Sequence, residues 1–290
     1  MPAAAIRAMR LVNTLADRVL ERLRFAAPPT PPWDPLYARP IEEVMRLAED
    51  GDGEAAYVVG DIFDQGYDGM PCDRRRALHW YRLAEEADQP DALNNIGSMY
   101  QHGHELPRSL DMARRYYERA AALGCGTAMN NLGRFYLAGQ GGVPKDPAAG
   151  LAWLRKGAAR GDTDAMLGLA HAYATGTHLR RSALRFLYWN RRAAACDDGR
   201  AVYNLAVQYD DGETVLPDAG RAVRLYERAA CLGSASAAYW LARKHLDGQG
   251  VAADPRQAYR RFRQAEELGH ESAGEWADDL LEAHPELRDP

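Results

Sequence analysis

The sequence predicts an all-α solenoid of helix–turn–helix repeats, and three observations carry that prediction. They are a recurrence every 36 or 37 residues, one apolar stripe at helical spacing in each unit, and a marked start to a second helix. Laid on itself, the chain aligns Ala55 with Ala92, Ala128, Ala165, Ala201, Ala237 and Ala273, at spacings of 37, 36, 37, 36, 36 and 36 residues.

The first helix of each unit follows from that register. Four residues after the anchor stand Val59, Ile96, Leu132, Leu169, Leu205 and Leu241, followed by Gly60, Gly97, Gly133, Ala170, Ala206 and Ala242. A ring comes three positions later (Phe63, Tyr100, Tyr136, Tyr173, Tyr209), with His245 as the exception. Glycine then closes the helix at positions 66, 103, 139, 176, 212 and 248, as expected just past a C-terminus.

The second helix is signalled by Asp73, Ser109, Asp146, Ser182, Asp218 and Asp254, whose oxygens can accept from the free N–H groups of a first turn. Pro147 and Pro255 follow two of them at the first helical position, where a missing donor costs nothing. Small residues (Ala77, Ala113, Gly150, Ala222, Ala258, and later Ala84, Ala120, Gly157, Ala193, Ala229, Ala265) let helices approach. Trp80, Tyr116, Trp153 and Trp189 fill between them. Such a unit cannot bury its apolar face alone and must stack on the next.

Ile41–Gly51 reads as a half-unit that opens the array, and Glu271–Leu281 as a first helix that caps it. The expected organisation is a segment over 1–40, a solenoid of six full repeats with its caps over 41–284, and a tail over 285–290.

Composition narrows the function. The chain has 290 residues and a net charge of −5, against the basic surface of a nucleic-acid binder. Three lysines (145, 156, 244) against 33 arginines, with heavy alanine use, fit a GC-rich bacterial genome. Cys72, Cys125, Cys196 and Cys231 have neither zinc nor disulfide spacing and are expected to be reduced packing residues. No apolar run is long enough to cross a membrane, and charges at Arg7, Arg10, Asp17, Arg18, Glu21, Arg22 and Arg24 interrupt any secretory signal, so a cytoplasmic location is expected.

The repeat is clearest in Gly126–Gly161, GTAMNNLGRFYLAGQGGVPKDPAAGLAWLRKGAARG, which resembles the Sel1-like repeat, a relative of the tetratricopeptide repeat. The resemblance covers about residues 41–284. It implies a right-handed superhelical solenoid that acts as an adaptor or scaffold, and a few family members resemble immunity proteins that block a toxin. Some bacterial members carry a cysteine pair in every repeat; this chain does not, which supports a reducing compartment. The fourth full unit departs in another way, with THLRRSAL in place of the GxGVPxD loop and Phe186 at a normally small position, so irregular packing is expected there.

The resemblance also implies that first helices line a concave groove, at the second, third, sixth and ninth positions after each anchor. The partner-binding candidates there are Asn94, Asn95, Asn130, Asn131, Arg134, His171, Tyr203, Asn204, Tyr239, Trp240 and Arg243. Tyr57, Val58, Asp61 and Asp64 open the same face, and Ser98, Gln101 and Asp210 lie on it. Asn can grip a partner's backbone amides, Arg can pair with carboxylates, and Tyr and Trp are typical anchors. The plain alternative is that Asn95, Asn131 and Asn204 bond only within the array, and that Trp240 belongs to the core.

The N-terminal segment is separate. Met9, Val12, Leu15, Ala16, Val19, Leu20 and Leu23 form one face of a helix near residues 4–25, and six prolines over 26–40 make a stiff linker. This helix could cap the solenoid, bind a partner helix or touch a membrane surface.

Catalytic signals are weak. Gly139–Lys145 lacks the phosphate-loop pattern and is a repeat turn, and His102 and His104 are two loop histidines without further ligands. No cofactor or metal is expected. The chain therefore reads as a non-catalytic protein-binding scaffold or adaptor, alternatively as a toxin-neutralising immunity protein, and less readily as an enzyme, for which His171 is the residue to test.

Overall fold

The structure is a computed structural model that describes residues 35–67, 71–212 and 215–288. The expected helix near residues 4–25 lies outside them. The described residues form fourteen α-helices and no strand. A half-unit helix, α1 (Ile41–Glu49), precedes the pairs α2 (Gly53–Gln65) with α3 (Arg74–Glu86), α4 (Pro90–His102) with α5 (Leu110–Ala122), and α6 (Gly126–Ala138) with α7 (Pro147–Ala159). Then come α8 (Thr163–Thr175) with α9 (Ala183–Ala194), α10 (Gly199–Asp211) with α11 (Ala219–Cys231), α12 (Ala235–Asp247) with α13 (Pro255–Glu267), and the single α14 (Ala273–Ala283). A 3-10 turn at Pro285–Arg288 follows, from which Leu287 packs on the last core cluster. The chain divides into two compact units, an N-terminal one ending at Leu169 and a C-terminal one starting at Ala170.

Local chemistry explains the helix boundaries. Asp73, Ser109, Asp146, Ser182, Asp218 and Asp254 each accept from the backbone N–H three residues on. The closing glycines sit at φ between +67° and +79°, a conformation that a side chain would strain. The first helices carry caps of their own, from Asp52, Gln89, Cys125, Asp162, Asp198 and Ser234.

The seven anchor alanines are fully buried, as are Ala84, Ala120, Ala193, Ala229 and Ala265 on the second helices. The centre of the packing is a register 25 or 26 residues after the anchor, where Tyr81, Tyr117, Leu154, Tyr226 and Phe262 are buried. In the fourth repeat Phe186 is half-buried where Ala77, Ala113, Ala222 and Ala258 are fully enclosed. The slot admits a methyl group and not a ring. The end of the expected linker is also folded: Leu36 and Tyr37 pack on the first core cluster, and the Tyr37 hydroxyl donates to Asp61 at 2.7 Å. Burying two large side chains overrides the stiffness of the surrounding prolines.

Successive repeats are tied at the ends of their second helices. Arg119 reaches back to the Glu85 carbonyl and to Asp88 at 2.6 Å, and Arg228 reaches the Ala194 carbonyl and Asp197, both at 2.8 Å. Gln264 makes the corresponding bond to the Ala230 carbonyl. Asp88 and Asp197 have φ of +53° and +55°, at a position where other repeats carry glycine (Gly124, Gly161, Gly233, Gly269). The carboxylate that tolerates this backbone is the one the next repeat's arginine grips.

His245 occupies the ring position of the sixth repeat, nearly buried, and its Nδ1 has no hydrogen-bond partner among the described residues. Burial, and then the Arg261 guanidinium, hold its pKa below the usual histidine value, against weaker opposing pulls from Asp254 and Glu227. The unfolded chain therefore takes up this proton first as pH falls. Stability contributed by neutral His245 is complete above about pH 6.5 and is lost as pH drops toward the folded-state pKa. Urea midpoints at pH 7 and pH 5 should show a smaller acid-side loss for His245→Phe than for the wild type; equal losses would assign the acid sensitivity elsewhere.

Candidate partner-binding face

In the N-terminal unit the first-helix face is a connected polar network. The Asn95 amide donates to the Tyr81 hydroxyl at 2.9 Å, the Asn94 amide to the Asn95 carbonyl oxygen at 3.3 Å, and the Asn131 amide to the Asn94 carbonyl oxygen at 3.0 Å. Asn94 thus joins α4 to α6. Asn94 and Asn130 are buried, and Asn95 and Asn131 are half-buried. Val58, at the same register in the first repeat, is wholly core. Arg134 is exposed.

The hydroxyls come from the second helices. Tyr81 reaches Asn95, Tyr117 donates to Gln101 at 2.8 Å, and Tyr226 reaches Asp210. These tyrosines escape a reading that looks only at first helices, although their shared register marks them. Asp61 has its carboxyl held above the usual range, by burial first and by Asp64 second, against the opposing bond from Tyr37. A polar pocket of about 270 Å³ opens beside this network, between Asp64, Arg74, Asn95, Ser98, His102 and His104. The two imidazoles stack at 5.5 Å, and His102 is turned toward the Ser98 carbonyl. Among the described residues no cluster of three or more side chains could hold a metal ion.

The C-terminal unit presents a different surface. Asn204 donates to Asn190 at 3.0 Å, so this amide is also engaged within the array. Tyr239 stacks on His270 at 4.3 Å and meets Phe262 edge-on, which makes it a packing residue. Its neighbour Trp240 is 41% exposed. The Trp240 ring meets the Tyr239 ring edge-on at 5.7 Å, and the Tyr203 ring leans on Tyr226 at 6.0 Å. Burial raises the Tyr203 hydroxyl pKa above its ordinary value. Arg243 lies over the Trp276 ring at 4.6 Å, with Asp247 at 3.8 Å. Tyr239 and Trp240 thus come together, while Tyr203 sits beside Tyr226. His171 stands apart, exposed, with its carbonyl accepting from Thr175.

All four cysteines are unpaired. The Cys125 thiol donates to Asp91 at 3.2 Å while its sulfur caps α6, and burial pushes its pKa up to about 12.

Tandem helix pairs that stack repeat on repeat define the class of α-solenoid repeat proteins. The Sel1 repeat model matches residues 53–88, 90–125, 126–162, 163–198, 199–234 and 235–270, and the chain belongs to the Sel1 repeat family. Among curated relatives, the ERAD-associated E3 ubiquitin-protein ligase component HRD3B of Arabidopsis thaliana is 37% identical over 75 residues. That match covers 26% of this chain and 12% of HRD3B. Among solved structures, c5321, a protective antigen of uropathogenic Escherichia coli with an SLR fold, superposes with a TM-score of 0.65 at 27% identity, covering 84% of this chain and 52% of that one. The immunity protein PA5088 of Pseudomonas aeruginosa superposes with a TM-score of 0.57 at 20% identity, covering 74% and 81% of the two chains, a likeness of fold.

Proposed function

We propose that this chain is a non-catalytic adaptor, working in a bacterial cytoplasm, that grips a partner protein through the first-helix face of its C-terminal unit. The exposed Trp240 carries the reading. A large ring braced edge-on by Tyr239, which is itself stacked on His270, is ordered before a partner arrives, and such aromatics dominate interface energetics. The arginine and alanine bias and the unpaired cysteines support the compartment. The relative HRD3B is named as an E3 ubiquitin-protein ligase component. In the N-terminal unit, the bonded asparagines Asn94, Asn95 and Asn131 of α4 and α6 serve chiefly to hold that unit's first-helix face in register, leaving Arg134 exposed on it.

The test is a pull-down from source cells, followed by titration of the recovered partner against wild type and Trp240→Ala. Loss of about 2 kcal/mol or more, roughly 30-fold in Kd, is expected for the variant. Undiminished binding by folded Trp240→Ala would overturn the assignment. Partner identity separates two uses of the same grip: a secreted toxin held one-to-one would make the chain an immunity protein.

A further inference from the structure

A second pocket in the N-terminal unit lies on the other side of the helix pair. It measures about 300 Å³, room for one large side chain, and opens between Met45 of α1, Phe63 at the end of α2, and Arg75, Arg76, His79 and Trp80 of α3. Its floor is apolar, since Trp80 and Phe63 are buried core rings and Met45 is half-buried beside them. Its rim is cationic. The Arg75 side chain is 90% exposed, with its nearest carboxylate, Glu105, at 4.0 Å. Arg76 lies over the Phe63 ring at 4.9 Å and stands 4.0 Å from Asp73, and the His79 ring meets Trp80 edge-on.

Local energetics do not explain that rim. Arg74, Arg75 and Arg76 form the first turn of α3, where the helix dipole disfavours cations. The other second helices put at most one cation in their first three positions. Arg74 is engaged elsewhere, 3.5 Å from Asp64. Arg75 has only the long 4.0 Å approach to Glu105, and Arg76 lies across the edge of the apolar floor, over Phe63.

We propose that this pocket docks an acidic protein segment, which inserts one aromatic or large aliphatic side chain between Met45, Phe63 and Trp80 while flanking carboxylates pair with Arg75 and Arg76. Charge complementarity selects that occupant. An apolar side chain alone would leave the guanidinium groups unmatched, and a phosphate-bearing membrane surface would leave the hole unfilled. The site is independent of the Trp240 face, so each can fail without the other.

Fluorescence anisotropy of the full-length chain with a labelled peptide, two aspartates on either side of a phenylalanine, tests this directly. Saturable binding is expected, at least tenfold weaker for Arg75→Glu/Arg76→Glu and for a peptide with alanine in place of phenylalanine, and unchanged for Trp240→Ala. Both arginines are exposed, so the variant should keep the wild-type helical circular dichroism; Met45→Arg, which fills the hole, provides the second route to loss of binding. The proposal is overturned by no saturable binding up to about 1 mM, by equal binding of the alanine peptide, or by phosphatidylserine vesicles binding this rim in preference to the peptide.

Discussion

Asp210→Ala is expected to destabilise the C-terminal unit by about 3–5 kcal/mol, the range for removing one partner of a buried ion pair. Lys244 lies at the register filled by Ile62, Met99 and Phe135 in the first three repeats, and it is buried. Its ammonium donates to Asp210 at 2.5 Å and to Gln249 at 2.9 Å, while Asp210 also accepts from Tyr226. Losing Asp210 leaves the buried ammonium with the neutral Gln249 oxygen and no counter-charge. Lys244→Met with Asp210→Ala should recover most of the loss, because a thioether chain fills the same space without a charge to satisfy. Urea denaturation of the two single variants and the double variant reads the coupling. Additive losses would mean that the pair contributes nothing beyond each residue's own packing.

Gly133→Leu is the second large effect, a loss of about 1–3 kcal/mol through overpacking. A Cβ at Gly133 would stand 2.8 Å from Leu154 Cδ2 and 3.0 Å from the Gly150 carbonyl oxygen, so α6 and α7 could not keep their separation. The mirror position is as tight, since a Cβ at Gly150 would meet Leu137 Cγ at 2.7 Å and the Gly133 carbonyl oxygen at 2.9 Å. Thermal unfolding followed by circular dichroism should show a lowered midpoint with helicity retained below it. An unchanged midpoint would show that the helix pair can open at no cost.

The repeat register, the glycine C-caps and the six second-helix caps were legible because each depends on residues within a few positions of one another. The first-helix caps were harder. Gln89 and Cys125 do the work that Asp or Ser does elsewhere, and neither residue type announces a helix start. The candidate face was legible in position more than in role. Asn95, Asn131 and Asn204 look the same in sequence whether they face a partner or a neighbour, and the groups that engage them (Tyr81, Asn94, Asn190) lie 14 or 37 residues away. Tyr239 and Trp240 are adjacent, yet one is stacked on His270 and the other is open, a difference that only the packing of α13 and α14 decides.

The unequal surroundings of the four thiols have a practical consequence. Cys125 is enclosed and bonded, and Cys196 is half-buried with its pKa raised by burial, so both resist alkylation at neutral pH. Cys72 and Cys231 are exposed, one in each compact unit. The unmutated chain therefore carries two native attachment points for a donor and an acceptor dye. Energy transfer between them would follow, in real time, any rearrangement of one unit against the other as a partner is captured.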